Sequence, residues 1–330
     1  MKALVYTGPG EIDFRDQPDP VPADGEVVVR VEAVGICGSD MHAYLGHDER
    51  RPPPLILGHE VAGVVESGGL AGQRVTLNPL VTCGVCPACL EGRANLCRDR
   101  QIISMPPRPG GFAEFLRIPE RNLIELPAGM EPKIAALSEP VATGWHAVVT
   151  GERALHGALT AARCLVIGGG AVGLSAALVL RSRGGLDIHV AETNPLRRQT
   201  AATEKDLTVI DPADRTIDDN AFDLVIDAVG GAETRRLASA AVSPGGVIVH
   251  IGLLEAEGGL DIRKMTLQEV TFIGTYTYTM DDFRDTVAAL HSGALGALNW
   301  VEARSLADGA EAFRDLRNGR AAAAKIVLMP

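Results

Sequence analysis

Residues 164–183 read CLVIGGGAVGLSAALVLRSR, and the fold is decided here. Cys164–Ile167 is an apolar run of strand length. Gly168-Gly169-Gly170-Ala171-Val172-Gly173 then satisfies G-x-G-x-x-G, and an Ala/Leu-rich helical run follows to Arg183. The chemistry of such a turn needs small residues. Gly168 makes the tight turn, Gly170 lets a pyrophosphate approach the backbone, and Gly173 lets helix and strand pack closely. The helix start then presents free N–H groups and the positive end of its dipole to the phosphates.

Gly-rich turns are common, so the surroundings carry the reading. Short apolar runs recur at Asp187–Ala191, Leu207–Ile210, Phe222–Ala228, Gly246–Ile251 and Val270–Tyr276, most with helical stretches between them. Strands alternating with helices form a parallel sheet with right-handed crossovers. Six such strands match a dinucleotide-binding α/β fold. Glu192 closes the second strand, nineteen residues after Gly173. An acid there accepts hydrogen bonds from the adenosine ribose hydroxyls and repels a 2′-phosphate, which favours NAD over NADP. Arg197, five residues on, works the other way, since it could pair with such a phosphate.

Upstream the texture differs. The first 130 residues read as short strands, among them Val27–Val31, His59–Val65 and Arg74–Leu77, broken by turns such as Gln17-Pro18-Asp19-Pro20. A chain of 330 residues is long enough for two domains. A net charge of −11 without a Lys/Arg run argues against nucleic acid. No apolar stretch approaches the roughly 18–20 residues of a spanning helix, and Met1–Gly8 holds too short an apolar run for a signal peptide. A cytoplasmic protein with no membrane partner is expected.

Four of the six cysteines fall in Cys83-x2-Cys86-x2-Cys89-x7-Cys97. In an intracellular chain this argues for metal and not disulfides, and four thiolates suit tetrahedral zinc. A ferredoxin run would place its last cysteine after three residues and follow it with proline; here the gap is seven and Arg98 follows. A closed site of four thiolates leaves no open position, so its expected role is structural. Cys37 stands apart, in Gly35-Ile36-Cys37-Gly38-Ser39-Asp40-Met41-His42, with Gly58-His59-Glu60 and Ser138-Glu139-Pro140 downstream. Cysteine, histidine and carboxylate from separate segments would make a three-ligand zinc site with one position open, the pattern of catalytic zinc. Spread over a hundred positions, the three could equally be core residues.

The G-I-C-G-S-D-x-H segment, G-H-E, the four-cysteine loop, Gly110–Phe115 (GGFAEF), Thr143-Gly144 and the Gly-rich turn occur in one order along the whole chain. Together they resemble the zinc-dependent alcohol dehydrogenase branch of the medium-chain dehydrogenase/reductase superfamily. The resemblance implies a GroES-like β-rich catalytic domain built from residues 1–144 and 279–330, with an NAD-binding Rossmann domain, 145–278, inserted. It implies two zinc ions per chain: a catalytic one on Cys37, His59 and Glu139, with Glu60 as an outer or alternate ligand, and a structural one on Cys83, Cys86, Cys89 and Cys97. Ser39 and His42 would form the proton relay. Thr143, Val172, Ile251, Gly252, Leu253, Tyr276 and Tyr278 would lie along the cofactor with Gly168, Gly170, Gly173, Glu192 and Arg197. Relatives form dimers and tetramers, so a homo-oligomer is expected.

Glu139-Pro140 in place of a cysteine segment is similar to the polyol (sorbitol-like) and threonine dehydrogenase subgroup. Two positions depart from sorbitol dehydrogenases: Thr277 stands where they carry an arginine, and Ala43-Tyr44 follows the relay histidine. The implied activity is zinc- and NAD-dependent oxidation of a secondary alcohol or polyol to the ketone. The alternatives are a threonine-type or other small hydroxy-compound dehydrogenase, a zinc-free enone or quinone reductase, and a non-catalytic zinc and nucleotide binding relative. Cys164 reads as a buried small hydrophobe. His146 and His250 lack a ligand-spaced partner and are assigned no role.

Overall fold

The computed structural model describes residues 1–330. Its central feature is a six-stranded parallel sheet. The strands run in space in the order Thr208–Ile210, Asp187–Ala191, Arg163–Ile167, Phe222–Asp227, Val242–His250 and Thr271–Gly274. The order reverses between Arg163–Ile167 and Phe222–Asp227, and that switch point is where open α/β sheets bind ligands. The Gly-rich turn leaves Arg163–Ile167 at this point and enters helix Ala171–Ser182. A Cβ on Gly173 would stand 1.9 Å from the Gly168 carbonyl oxygen, so only glycine permits the approach.

The rest of the chain forms antiparallel-rich sheets. Glu26–Gly35 is flanked by Glu60–Val65 on one side and by Lys325–Met329 on the other, and Phe115–Pro119 also pairs with it. Val301–Ser305 pairs in parallel with Lys325–Met329. The C-terminal strands therefore return to a sheet begun before residue 36, which makes the parallel unit an insertion. No helix is long and apolar enough to cross a membrane.

Helix Ser138–Ala154 ties the two architectures together. It packs against helices Ala171–Ser182 and Met280–Ser292. Gly144 sits at the first crossing, where a Cβ would stand 2.8 Å from the Ala176 backbone nitrogen. Thr143-Gly144 is thereby explained as a close helix crossing beside the start of the Gly-rich helix. At the second crossing His146 pairs with Asp282 at 2.8 Å.

Candidate metal centres and cofactor cleft

The four-cysteine segment folds as a lobe containing a short helix, Pro87–Leu90, and a 3-10 turn, Ala94–Leu96. Its sulfurs lie within 4.8 Å of one another, and the contacts of Cys83 with Cys89, Cys86 with Cys89, and Cys83 with Cys97 are 4.0, 3.5 and 3.5 Å. Zinc–sulfur bonds of about 2.3 Å in a tetrahedron put sulfurs about 3.8 Å apart, and a disulfide would put them about 2.05 Å apart. The spacing fits one ion and no disulfide. The chemistry agrees: N–H bonds from Val85 and Cys86 hold the Cys83 thiol down to about 6, while burial and its sulfur neighbours push Cys89 up to about 11. Such a set asks for a positive charge.

The second set is assembled from afar. Cys37 precedes helix Gly38–Tyr44, and His59 and Glu60 open strand Glu60–Val65. Their donor atoms lie within 4.8 Å of one another, with His59 and Glu60 buried. Glu60 Oε2 is buried and has no hydrogen-bond partner, an orphan acceptor that a cation would satisfy. A Cβ on Gly35, its cross-strand neighbour, would stand 1.9 Å from that same oxygen. Zinc fits this donor set.

Asp40 fixes the geometry. Fully buried, it accepts the Cys37 N–H at 3.0 Å and the Gly58 N–H at 3.1 Å, and its Oδ1 lies 3.5 Å from His59 Nδ1. Ser104 Oγ stands 3.4 Å from the same ring nitrogen. Nδ1 is thus engaged and Nε2 is left as the ligand nitrogen, the usual arrangement of a metal-bound histidine. Burial opposes charge at His59, but Asp40 and the Cys37 sulfur outweigh it and raise its pKa well above the ordinary value. Behind Glu60 lies Lys325, almost fully buried, with Nζ 2.5 Å from Glu60 Oε1 and 2.9 Å from the Ile36 carbonyl oxygen. Burial disfavours the ammonium, yet Glu60 and Cys37 hold its pKa above the usual range.

The resemblance implies Glu139 as the third ligand, with Glu60 as an outer or alternate one. The compact set contains Glu60, which follows His59 directly in the chain, and not Glu139. Glu139 opens helix Ser138–Ala154 and is buried, one turn before Ala142, which shares a buried cluster with Tyr278. Burial and the Glu60 charge push its carboxyl up to about 7, against the pull of His59 and Lys325. Ser39 and His42 lie on helix Gly38–Tyr44, half-buried, and the His42 ring is 6.2 Å from that of His47.

At the cofactor end, Glu192 is buried at the tip of its strand. Its carboxylate accepts the Gly169 N–H at 2.8 Å and the Asn194 N–H at 2.7 Å, and Arg197 pairs with both oxygens at 3.0 Å, so a ribose hydroxyl would have to take the place of one of these donors. Burial opposes ionisation, but Arg197 and these N–H groups hold its carboxyl below the usual range. Arg197 is therefore engaged with Glu192 and not free for a phosphate. Gly252 adjoins Gly230 at the ends of the neighbouring strands, and Leu253 beside it is exposed. Thr143, Val172, Ile251 and Tyr276 are half-buried, and Tyr278 is fully buried against Phe283.

Sequence reasoning passed over Asp40, Lys325 and His146. Asp40 stood within the quoted Cys37–His42 segment; Lys325 carried only the weak signal of one lysine leading the apolar strand KIVLM.

Comparison with known proteins matches residues 23–128 to the alcohol dehydrogenase GroES-like domain and residues 171–292 to the zinc-binding dehydrogenase family. The chain is 32% identical over 312 residues to an L-galactonate-5-dehydrogenase of Escherichia coli K12, covering 90% of this chain and 89% of that protein. It is 32% identical over 296 residues to a sorbitol dehydrogenase of Bacillus subtilis, covering 84% and 82%. Among solved structures it is similar to an acetophenone reductase of Geotrichum candidum in complex with NAD, with TM-score 0.89, 27% identity, and 100% and 97% coverage.

Proposed function

As a member of the zinc-dependent alcohol dehydrogenase branch of the medium-chain dehydrogenases, the chain is an alcohol-oxidising enzyme, and we propose that it converts a secondary alcohol or polyol to the ketone with NAD. The observation that carries this is the Cys37–His59–Glu60 set, its His59 and Glu60 buried, backed by Asp40 and Lys325. A zinc-free reductase would have no use for it. Glu139 is the outer carboxyl of the centre in this reading, buried at the start of helix Ser138–Ala154.

Zinc held by Cys37, His59 and a carboxylate would supply Lewis acidity to the substrate oxygen, and NAD on the Gly168–Gly173 turn would accept the hydride. The protein's own residues do the rest. Asp40 and Ser104 hold the His59 ring, and Lys325 balances the negative charge of Glu60 and Cys37. Ser39 and His42 carry the substrate proton outward, a task suited to an imidazole whose ordinary pKa is near 6.5. Glu192 receives the adenosine ribose; its pairing with Arg197 supports NAD over NADP.

The substrate is a small molecule with adjacent or secondary hydroxyls; polyols, sugar acids, diols and threonine are the classes to separate. A homodimer or homotetramer belongs to this reading. The sheet ends at Thr271–Gly274, an exposed edge with Phe272, Ile262 and Leu253 exposed around it. The free cysteines support a cytoplasmic setting. The test is a panel of these alcohols with NAD and NADP, alongside metal analysis. Turnover of at least one with NAD, and two zinc ions per chain, is expected. Two zinc ions and NADH binding without turnover of any would overturn the catalytic reading in favour of a binding protein.

A further inference from the structure

Tyr276–Thr279 joins the last strand of the parallel sheet to helix Met280–Ser292 and carries Tyr278 into a buried cluster with Phe283 and with Ala142, one turn after Glu139 on helix Ser138–Ala154. In the middle of this segment Thr277 has φ +48°. A β-branched residue occupies that left-handed region only when its surroundings hold it there. Its own side chain does not help, because Thr277 Oγ1 is buried without a partner. The restraint therefore comes from the two ends.

At the far end, Thr279 donates both its N–H and its hydroxyl to Asp282, at 3.0 and 2.6 Å, and His146 closes the same carboxylate. The near end is held by the four-cysteine lobe. Asn95, 4% exposed and two residues before Cys97, donates from Nδ2 to the Tyr276 carbonyl oxygen at 2.9 Å across 181 positions of sequence. Asn95 Oδ1 has no partner, so this single bond is what the buried amide makes. Arg100 lies over the Tyr276 ring, 4.6 Å from its centroid, while its guanidinium also donates to the Cys97 carbonyl at 2.9 Å.

We propose that the four-cysteine lobe is a positioning element of the active site: Asn95 and Arg100 clamp Tyr276, so that Thr277 stays in its left-handed turn and Tyr278 stays in its buried cluster with Ala142, one turn from Glu139. The lobe then acts on catalysis through a backbone carbonyl as well as on stability. The proposal rests on the reading of Cys37, His59, Glu60 and Glu139 as the reacting centre.

The experiment is amide hydrogen exchange by mass spectrometry on the whole chain, with metal content, kcat and KM measured on the same samples. Asn95→Leu should keep both zinc ions and raise exchange at residues 276–279 about tenfold, the effect of losing one buried hydrogen bond. It should lower kcat about tenfold with the KM for NAD unchanged. Thr277→Gly, which accepts the left-handed turn without restraint, should make the clamp dispensable: adding Asn95→Leu to it should change exchange and kcat less than about threefold. Arg100→Met, at an exposed position, should move both readouts the same way by about twofold to fivefold. Unchanged exchange at 276–279 in both Asn95→Leu and Arg100→Met would overturn the proposal. So would the same factor for Asn95→Leu in either Thr277 background. If the unaltered chain oxidises no alcohol, the dehydrogenase reading fails, and the exchange measurement still decides the clamp.

Discussion

The lobe and the Cys37 site are both sets of side chains that could hold a metal ion, and they are built in opposite ways. The lobe takes four sulfurs from fifteen consecutive residues, Cys83 to Cys97, near the surface. The other site takes Cys37 from a helix start and His59 and Glu60 from a strand start. It buries His59 and Glu60, and supports them with Asp40 beside His59 and Lys325, from the far end of the chain, behind Glu60. Geometry made by local spacing needs little around it. Geometry made by tertiary structure needs a shell of positioned charges, and that shell is where the chemistry is tuned.

The sharpest way to break the contrast is to delete one donor on each side. Cys37→Ala should lower kcat by about a thousandfold or more, the several kcal/mol that Lewis-acid stabilisation supplies, and leave the melting temperature within a few degrees. Steady-state kinetics and calorimetry check both halves. Next in size is the shell itself. Lys325→Met leaves the Glu60 carboxylate without its ammonium and should cost about 3–5 kcal/mol of stability by denaturant titration, with much of the loss recovered when Glu60→Gln is added. Full stability in Lys325→Met would mean that the pair is incidental. Asp40→Asn keeps the shape but removes the charge that orients His59. It should weaken zinc at that site by about tenfold to a hundredfold, seen as zinc loss to a chelator, with the lobe's zinc retained.

The smallest effect concerns the joint between helices Ser138–Ala154 and Met280–Ser292. Burial works against the Asp282 charge, but His146 and Thr279 hold its carboxyl below the ordinary range. A carboxyl depressed in the folded state stabilises fully above its unfolded value and loses that contribution as pH falls through the folded value. Asp282→Asn should therefore cost about 1–2 kcal/mol near neutrality, with the gap from the unaltered protein closing below about pH 4. A gap that stays constant down to low pH would show that the carboxylate charge contributes nothing.

The same contrast explains what could be read in the sequence. The six parallel strands were legible because each is a short apolar run beside a turn or helix signal, as at Cys164–Gly173. The lobe was legible because its ligand spacing is local. Glu60 against Glu139 was not, since which carboxylate lies nearer Cys37 depends on how helix Ser138–Ala154 meets a strand begun at residue 60. Lys325 gave only a weak signal and Asn95 none for the same reason: their partners lie 265 and 181 positions away. His146 drew no role because its partner, Asp282, comes from the helix after the parallel sheet.

The central claim is that one chain holds two zinc ions with separate duties. Metal analysis of the unaltered chain, Cys37→Ala and Cys97→Ala, each paired with its melting curve and turnover, tests it most directly. The account predicts two zinc ions in the unaltered chain and one in each variant. Turnover should be lost in Cys37→Ala with melting nearly unchanged, and melting should fall by about 5 °C or more in Cys97→Ala. Zinc at fewer than two per chain in the unaltered protein, or Cys37→Ala keeping both its second zinc and its turnover, would contradict it.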